Sequence, residues 1–111
     1  MAKGYKPERP VTSDKIRKEI VAVFDKKYER KYYTAANSWK RLFKRRLPES
    51  RGFVRGFEGY ASGQGLEGNN KFYALAISDE TDTKLDSVYL VDNADEECKR
   101  LGVNELMFAE D

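Results

Sequence analysis

The residues of this chain that could do chemistry are mostly cations, and they are concentrated in one short stretch. Five lysines and arginines stand among the seven residues from Lys40 to Arg46. Each phosphate that such side chains neutralise releases condensed counterions, which makes nucleic-acid binding favourable and salt-dependent. The stretch therefore predicts contact with a nucleic-acid backbone, and nearby cations and one tyrosine extend the candidate surface. The predicted contacts are Lys26, Lys27, Arg30, Lys31, Tyr33, Lys40, Arg41, Lys44, Arg45, Arg46, Arg51 and Arg55.

The residue types that are rare in this chain argue against several kinds of site. The chain contains no histidine and a single cysteine, Cys98. Histidine is the commonest general base and metal ligand, and a structural zinc site needs a set of cysteines and histidines. The glycine-rich run 63–68 has the spacing of a dinucleotide-binding loop, but a strand pattern follows it where that loop needs a helix. We therefore predict no catalytic residue, no metal site and no cofactor.

Charge is distributed unevenly along the chain. Residues 1–58 contain 17 basic and 7 acidic residues, a net charge of +10, whereas residues 59–111 contain 4 and 12, a net charge of −8. A split of this size is typical of a chain with a polyanion-binding half, or of two halves that neutralise each other in the fold. Solvated faces of different sign are the alternative without a function.

Length and composition predict one domain. A chain of 111 residues can bury a single modest core. Residues 1–11 are predicted to be a flexible basic arm, and residues 12–111 a single α+β domain. No run of apolar residues is long enough to span a membrane, so we expect no membrane partner. The polar N-terminus and the single cysteine favour the cytoplasm of a bacterium or of an infected host cell.

Two helices are predicted in the basic half; one long bent helix is the alternative, and the weaker helix formers of residues 34–38 favour a break. The first covers residues 13–32, with Thr12 or Ser13 as its N-cap, because apolar residues recur there at the spacing of one helix face. Its stripe consists of Ile16, Ile20, Phe24, Tyr28 and Tyr32. The second begins at Thr34 or Ser38 and ends before Pro48, because the residue before proline avoids the helical conformation. Its stripe consists of Ala36, Trp39, Leu42, Phe43 and Leu47, and the cations of residues 40–46 would cover its opposite face.

The second half of the chain reads as strands and one short helix. Strands are predicted at 53–60, 72–78, 87–91 and 103–108, with a glycine- and asparagine-rich loop over 61–70. Asn93 is placed to cap a short helix before the last strand, and Gly102 to end it. The predicted order is α-α-β-β-β-α-β, with two N-terminal helices packed on a small, mostly antiparallel sheet.

The stretch RGFVRGFEGY, residues 51–60, resembles an RNA-binding octapeptide only in its first three positions. Arg55 stands where that octapeptide needs an aromatic residue. Gly52 and Gly56 instead suggest that the strand bends or that a neighbouring element approaches it closely, and Gly59 also weakens it as a strand. Arg51 and Arg55 are therefore interpreted as the last cations of the basic half.

These observations favour a small nucleic-acid-binding protein with an accessory or regulatory role. Its size is that of phage-encoded regulators. It would contact the DNA or RNA backbone through a basic helical face. One alternative is a protein-binding module or an inhibitor of a host nucleic-acid enzyme that uses its bipolar charge. Its acidic pole would then include Asp95, Glu96 and Glu97. The composition also resembles that of ribosome-dependent messenger-RNA toxins, which implies a second alternative, a histidine-free ribonuclease. Of these readings, the non-enzymatic ones are favoured.

Overall fold

The computed structural model describes residues 9–66 and 70–103 as an α+β domain with the element order α-β-β-β-β-α. The helices are α1 (Ser13–Lys27) and α2 (Ala94–Leu101). The strands are β1 (Lys40–Arg46), β2 (Phe53–Tyr60), β3 (Lys71–Ser78) and β4 (Leu85–Val91), and short 3₁₀ turns cover Ala36–Ser38 and Pro48–Ser50. Within the described residues, no helix has the length and apolar content that crossing a bilayer requires.

The four strands form one antiparallel sheet in the order β1-β2-β3-β4. Each strand pairs with the next along the chain, so β1 and β4 are the two edges. Helix α1 packs on one face, here called the α1 face, where Ile20 and Phe24 join a core with Phe57 and Ala74. Helix α2 packs on the opposite α2 face. A sheet covered on both faces explains why the central strand β3 is apolar from Phe72 to Ile77.

The prediction of two N-terminal helices is wrong, because the second predicted helix is the edge strand β1. Its apolar residues recur at helical spacing, and its lysines, arginines and leucine are good helix formers. Pairing with β2 overrides that local preference, since it buries Phe43 against the sheet. The cations therefore lie on a strand and not on a helix face. The sequence pattern could not reveal this, because strand formation here depends on a partner later in the chain.

A β-bulge explains the misleading spacing. Arg41 pairs with Phe57, but Phe43 pairs with Gly56, so Leu42 is an extra residue in β1. One extra residue moves the following side chains to the other face of a sheet. As a result, Trp39 packs in the core of the α1 face and Phe43 in the core of the α2 face, four residues apart.

The glycines of β2 make room for these two aromatic rings. A Cβ atom on Gly56 would overlap the ring of Phe43, and one on Gly59 would overlap the indole of Trp39. The predicted close approach is confirmed at Gly56, and also at Gly52, where a Cβ atom would overlap the Ser78 carbonyl oxygen. Residues 53–60 of the run RGFVRGFEGY therefore form the core strand β2. The ring of Phe43 on β1 fills the space beside Gly56, and the indole of Trp39, the residue before β1, fills the space beside Gly59.

Helix α1 begins as predicted and ends earlier. The Thr12 side chain accepts a hydrogen bond from the Lys15 amide, so Thr12 is the N-cap of the two candidates. The helix ends at Lys27 and not at residue 32, because Glu29 and Arg30 have left-handed backbone conformations (φ 52° and 60°). Tyrosines 28 and 32 still pack against the core from outside the helix.

The elements of the acidic half largely match their predictions. The strands predicted at 53–60, 72–78 and 87–91 are β2, β3 and β4. The Asn93 side chain caps α2, and Gly102 ends it with φ 78°. Residues 104–108 of the predicted last strand, residues 1–8 of the predicted arm, and residues 67–69 of the predicted loop lie outside the described residues.

Candidate nucleic-acid interface

The exposed cations of β1 form the most concentrated charge of the described surface. We call Lys40, Arg41, Arg45 and Arg46 the basic edge, because all four are exposed on an edge strand. Arg41 and Arg46 pair with Phe57 and Phe53 and so point to the α1 face, whereas Lys40 and Arg45 point to the α2 face. None of the four forms an ion pair with a carboxylate of the described residues. Their charge is therefore available to a ligand on either side of the edge.

An aromatic ring lies beside the basic edge. Phe53 is half-buried on the α1 face, with the guanidinium carbon of Arg46 4.6 Å and the Nζ atom of Lys44 5.0 Å from its ring centre. Cations over an aromatic face are attracted by the ring quadrupole. The ring thus holds the side chain of Arg46 near the sheet and does not neutralise its charge.

Lys44 and Arg55 belong to a buried ionic network around Asp82. Arg55 donates two hydrogen bonds to the Asp82 carboxylate, from Nη1 to Oδ1 (2.6 Å) and from Nη2 to Oδ2 (2.8 Å). The Lys44 Nζ atom lies 2.8 Å from Oδ2, and the Ser78 hydroxyl donates to Oδ1. Arg55 also donates to the carbonyl of Val11. With 4% of its surface exposed, Arg55 is placed in the interior and not at the predicted interface.

The network keeps Asp82 ionised inside the protein. Burial acts to raise the pKa of Asp82, but hydrogen bonds from Arg55, Lys44 and Ser78 outweigh it and hold the pKa well below its usual range. The network joins the turn between β3 and β4 to β1, β2 and the segment before α1. The network therefore stabilises the part of the sheet that carries the basic edge.

Two more of the predicted contacts are engaged within the protein. Arg51 donates from Nη2 to the Leu101 carbonyl at the end of α2 and from Nε to the Pro48 carbonyl. Lys27 forms an exposed ion pair with Asp92 at 3.2 Å. Arg51 therefore satisfies a helix C-terminus, and the charge of Lys27 is shared with an acid.

A second basic group follows α1. Lys26, Arg30, Lys31 and Tyr33 are all exposed, as the prediction of a contact surface requires. The chain after them is fixed to the sheet, because the Tyr33 amide and carbonyl exchange hydrogen bonds of 2.8 Å with Ser62. A groove of about 420 Å³ lies between α1 and the start of β1. Its lining includes Arg17, Lys18, Trp39 and Lys40.

Sequence reasoning missed one exposed aromatic residue, Tyr60. Its side chain is 49% exposed at the end of β2. A signal was present, because strict alternation from the core residue Phe57 places Tyr60 on the other face of the strand. The glycine at position 59 and the end of the strand obscured that alternation.

The acidic half lies at the opposite edge of the sheet. Its exposed carboxylates include Asp86 on β4, Asp92 after it, and Asp95 and Glu96 in the first turn of α2. Glu97 pairs with Arg100 through two hydrogen bonds of 2.7 and 2.8 Å. Because the sheet is a meander, β1 of the basic half and β4 of the acidic half lie at opposite edges, whereas helix α1 of the basic half packs beside β4.

The acids of the turn between β3 and β4 have structural partners. Asp79 accepts hydrogen bonds from the Thr83 and Lys84 amides, and Asp82 pairs with Arg55. The part of the chain that the structure describes contains no group of three or more carboxylate or cysteine side chains placed to hold a metal ion.

The fold and this surface define a small α+β domain, an antiparallel meander with one helix on each face and a cationic edge. No protein-family model matches the chain, and no curated protein and no solved structure matches it significantly. Its function is therefore argued from its own residues.

Proposed function

We propose that this protein binds nucleic acid through the phosphate backbone, and that the basic edge on β1 is the contact surface. The proposal rests on the observation that some cations of this region are bonded within the protein whereas others are exposed and have no ion pair in the described part of the chain. Lys44, Arg51 and Arg55 are used in internal contacts, whereas Lys40, Arg41, Arg45 and Arg46 are exposed without an ion pair among the described residues. Uncompensated cations in one row suit a polyanion.

The dimensions of the edge agree with a phosphate backbone. Seven residues of extended strand span about 23 Å at roughly 3.3 Å per residue. A nucleic-acid strand that follows this length can place several phosphates against four side chains. Because Arg41 and Arg46 lie on one face and Lys40 and Arg45 on the other, a backbone running along the edge is contacted from both sides.

The acidic edge supports the same proposal by orienting the molecule. Carboxylates at β4 and α2 are repelled by phosphates, while the basic edge at the opposite side is attracted. The resulting charge separation turns β1 towards the nucleic acid during encounter. No side chain of the described residues forms a recognisable base-reading set, so backbone contacts dominate this mode of binding.

Binding titrations over a range of salt concentrations test the proposal. Labelled DNA and RNA oligonucleotides are titrated at about 25 to 200 mM salt, and the log of the affinity is plotted against the log of the salt concentration. Four neutralised phosphates predict a slope of about −3 on single strands and about −4 on a duplex. Absence of binding at low salt, or a flat salt dependence, would contradict the proposal.

A matched pair of variants locates the surface. The double variant Arg41→Gln/Arg45→Gln removes one cation from each face of the basic edge. The control Lys84→Gln/Lys99→Gln makes the same change of net charge on exposed residues at the acidic side. We expect the first variant to bind at least tenfold more weakly with a salt slope reduced by about 2, and the control to bind like the original protein. Equal losses in both variants would show that net charge alone is responsible.

Cations on an edge strand also keep it from pairing with another chain. That role and the proposed one are separable in the same experiment. Prevention of strand pairing alone predicts that Arg41→Gln/Arg45→Gln self-associates and that the original protein does not bind nucleic acid. Sedimentation of the variant beside the titration distinguishes the two roles.

A further inference from the structure

Two exposed tyrosines lie on the same face of the sheet, although they are distant in sequence. Residue Ala61 is buried in the core of the α1 face, so its neighbours Tyr60 and Ser62 point to the α2 face. Tyr33 is paired with Ser62 in an antiparallel bridge and shares the face of its partner. The side chains of Tyr33 and Tyr60 are 69% and 49% exposed on that face.

The two tyrosines are diagonal neighbours in the register of the bridge. Tyr60 lies two residues before Ser62, which makes it the diagonal neighbour of Tyr33. Diagonal neighbours in an antiparallel pair are about 7–8 Å apart and within reach of aromatic side chains. The pair therefore presents two adjacent aromatic surfaces to solvent.

Hydrogen bonds hold both tyrosines in place before any ligand binds. The Thr34 hydroxyl donates to the Tyr60 carbonyl at 2.7 Å and accepts from the buried Trp39 indole at 2.8 Å. The Ser38 hydroxyl also donates to the Tyr60 carbonyl, at 3.2 Å. The loop after α1 is thus anchored to the end of β2 at four points, including the two bonds of the bridge. A ligand that stacks here orders little additional backbone.

Cations of the proposed interface adjoin the tyrosines. Lys40, the first residue of the basic edge, pairs with Glu58 and is therefore the diagonal neighbour of Tyr60 on the α2 face. Arg30 and Lys31 lie three and two residues before Tyr33 in the chain. Helix α2 packs with Val54 and Leu75, and the exposure of Tyr60 and Lys40 shows that it does not cover them. Exposed aromatic rings next to cations are the surface by which proteins bind unpaired bases and their phosphates.

We infer that this protein selects single-stranded nucleic acid, with bases stacking on Tyr33 and Tyr60 while phosphates contact the basic edge from Lys40 onward. The inference rests on the proposed function and adds its substrate class. A duplex keeps its bases stacked inside, so it can use the cations and not the tyrosines. Stacking is tolerant of sequence, since every base has an aromatic face.

The test compares single strands with duplexes of the same sequence, as DNA and as RNA, at one salt concentration. Stacking of one base on an aromatic side chain changes affinity by roughly 5- to 150-fold. We expect the protein to prefer the single strand by at least tenfold. The variants Tyr33→Ala and Tyr60→Ala should each lose most of that preference, keep their duplex affinity and keep their salt slope. Tyr33→Phe and Tyr60→Phe retain a ring and should bind like the original protein.

The outcomes separate this inference from the proposed function. Salt-dependent binding that is equal for single strand and duplex, or that both alanine variants leave unchanged, overturns the selection of single strands and leaves backbone binding intact. Absence of binding to every oligonucleotide at low salt overturns both. Circular dichroism of the alanine variants checks that the fold is kept, as the exposure of both side chains predicts.

Discussion

Arg55 and Asp82 form a two-point ion pair inside the α1 face, with both side chains almost completely buried and N–O distances of 2.6 and 2.8 Å. The pair joins the second strand to the turn between β3 and β4. Asp82 holds a left-handed backbone conformation there (φ 59°), and its carbonyl accepts a hydrogen bond from the Val11 amide. A sequence position that was interpreted as a surface cation is therefore a central structural residue.

The substitution Asp82→Asn should strongly destabilise the protein. It leaves the Arg55 guanidinium buried without a charged partner, a loss of about 3–5 kcal/mol in the free energy of unfolding. Urea denaturation followed by circular dichroism measures this. Asp92→Asn is the control, because it breaks an exposed ion pair with Lys27 and should cost less than about 1 kcal/mol. Similar losses in both variants would contradict a structural role of the buried pair.

The same residue predicts how stability depends on pH. The pKa of Asp82 is lowered in the folded protein, so its contribution is fully present above the unfolded value near 3.8 and is lost as pH falls from there towards the folded value. We expect the free energy of unfolding to decrease below about pH 4, and to decrease less steeply in Asp82→Asn. Asp79 and Glu97, whose pKa values are also lowered, account for a remaining slope. Parallel curves for the two proteins would refute the assignment to Asp82.

Space at the β2 glycines can be tested by paired substitutions. Gly56→Ala places a methyl group in the position of the Phe43 ring and should destabilise the protein by about 1–3 kcal/mol. Combining it with Phe43→Leu, which replaces the ring with a smaller side chain, should reduce the free energy of unfolding by less than the sum of the two single losses. A double-mutant cycle from urea denaturation provides the coupling energy. Simple additivity would mean that the ring does not occupy this space.

Cys98 reports on the opening of α2. Its thiol is fully buried in the core of the α2 face, so a thiol reagent should react only when the helix detaches or the protein unfolds. Asn93→Ala removes the side-chain cap of α2, worth about 1 kcal/mol, and should speed labelling about fivefold. Asp95→Asn, at an exposed position of the same helix that makes no capping bond among the described residues, is the comparison. Rapid labelling of the unaltered protein would contradict the burial of this thiol.

The local features of this protein were readable from its sequence wherever a short-range rule determines the structure. The Thr12 cap, the stripe of Ile16, Ile20 and Phe24, and the ends of α2 follow from capping and periodicity, which involve residues within one or two turns. The strands β3 and β4 are recognisable in the sequence as compact apolar runs. The charge split and the absence of histidine are properties of the composition itself.

The tertiary structure alone decided what the segment from Lys40 to Arg46 becomes and which cations remain at the surface. Its helical spacing arises from a bulge, and only pairing with β2 and the fit of Trp39 and Phe43 over two glycines select the strand. Likewise, nothing near Arg55 in the sequence indicates Asp82, because they are 27 residues apart and meet only when β2, β3 and the following turn assemble. Contacts between distant residues set both outcomes, and local propensity does not contain them.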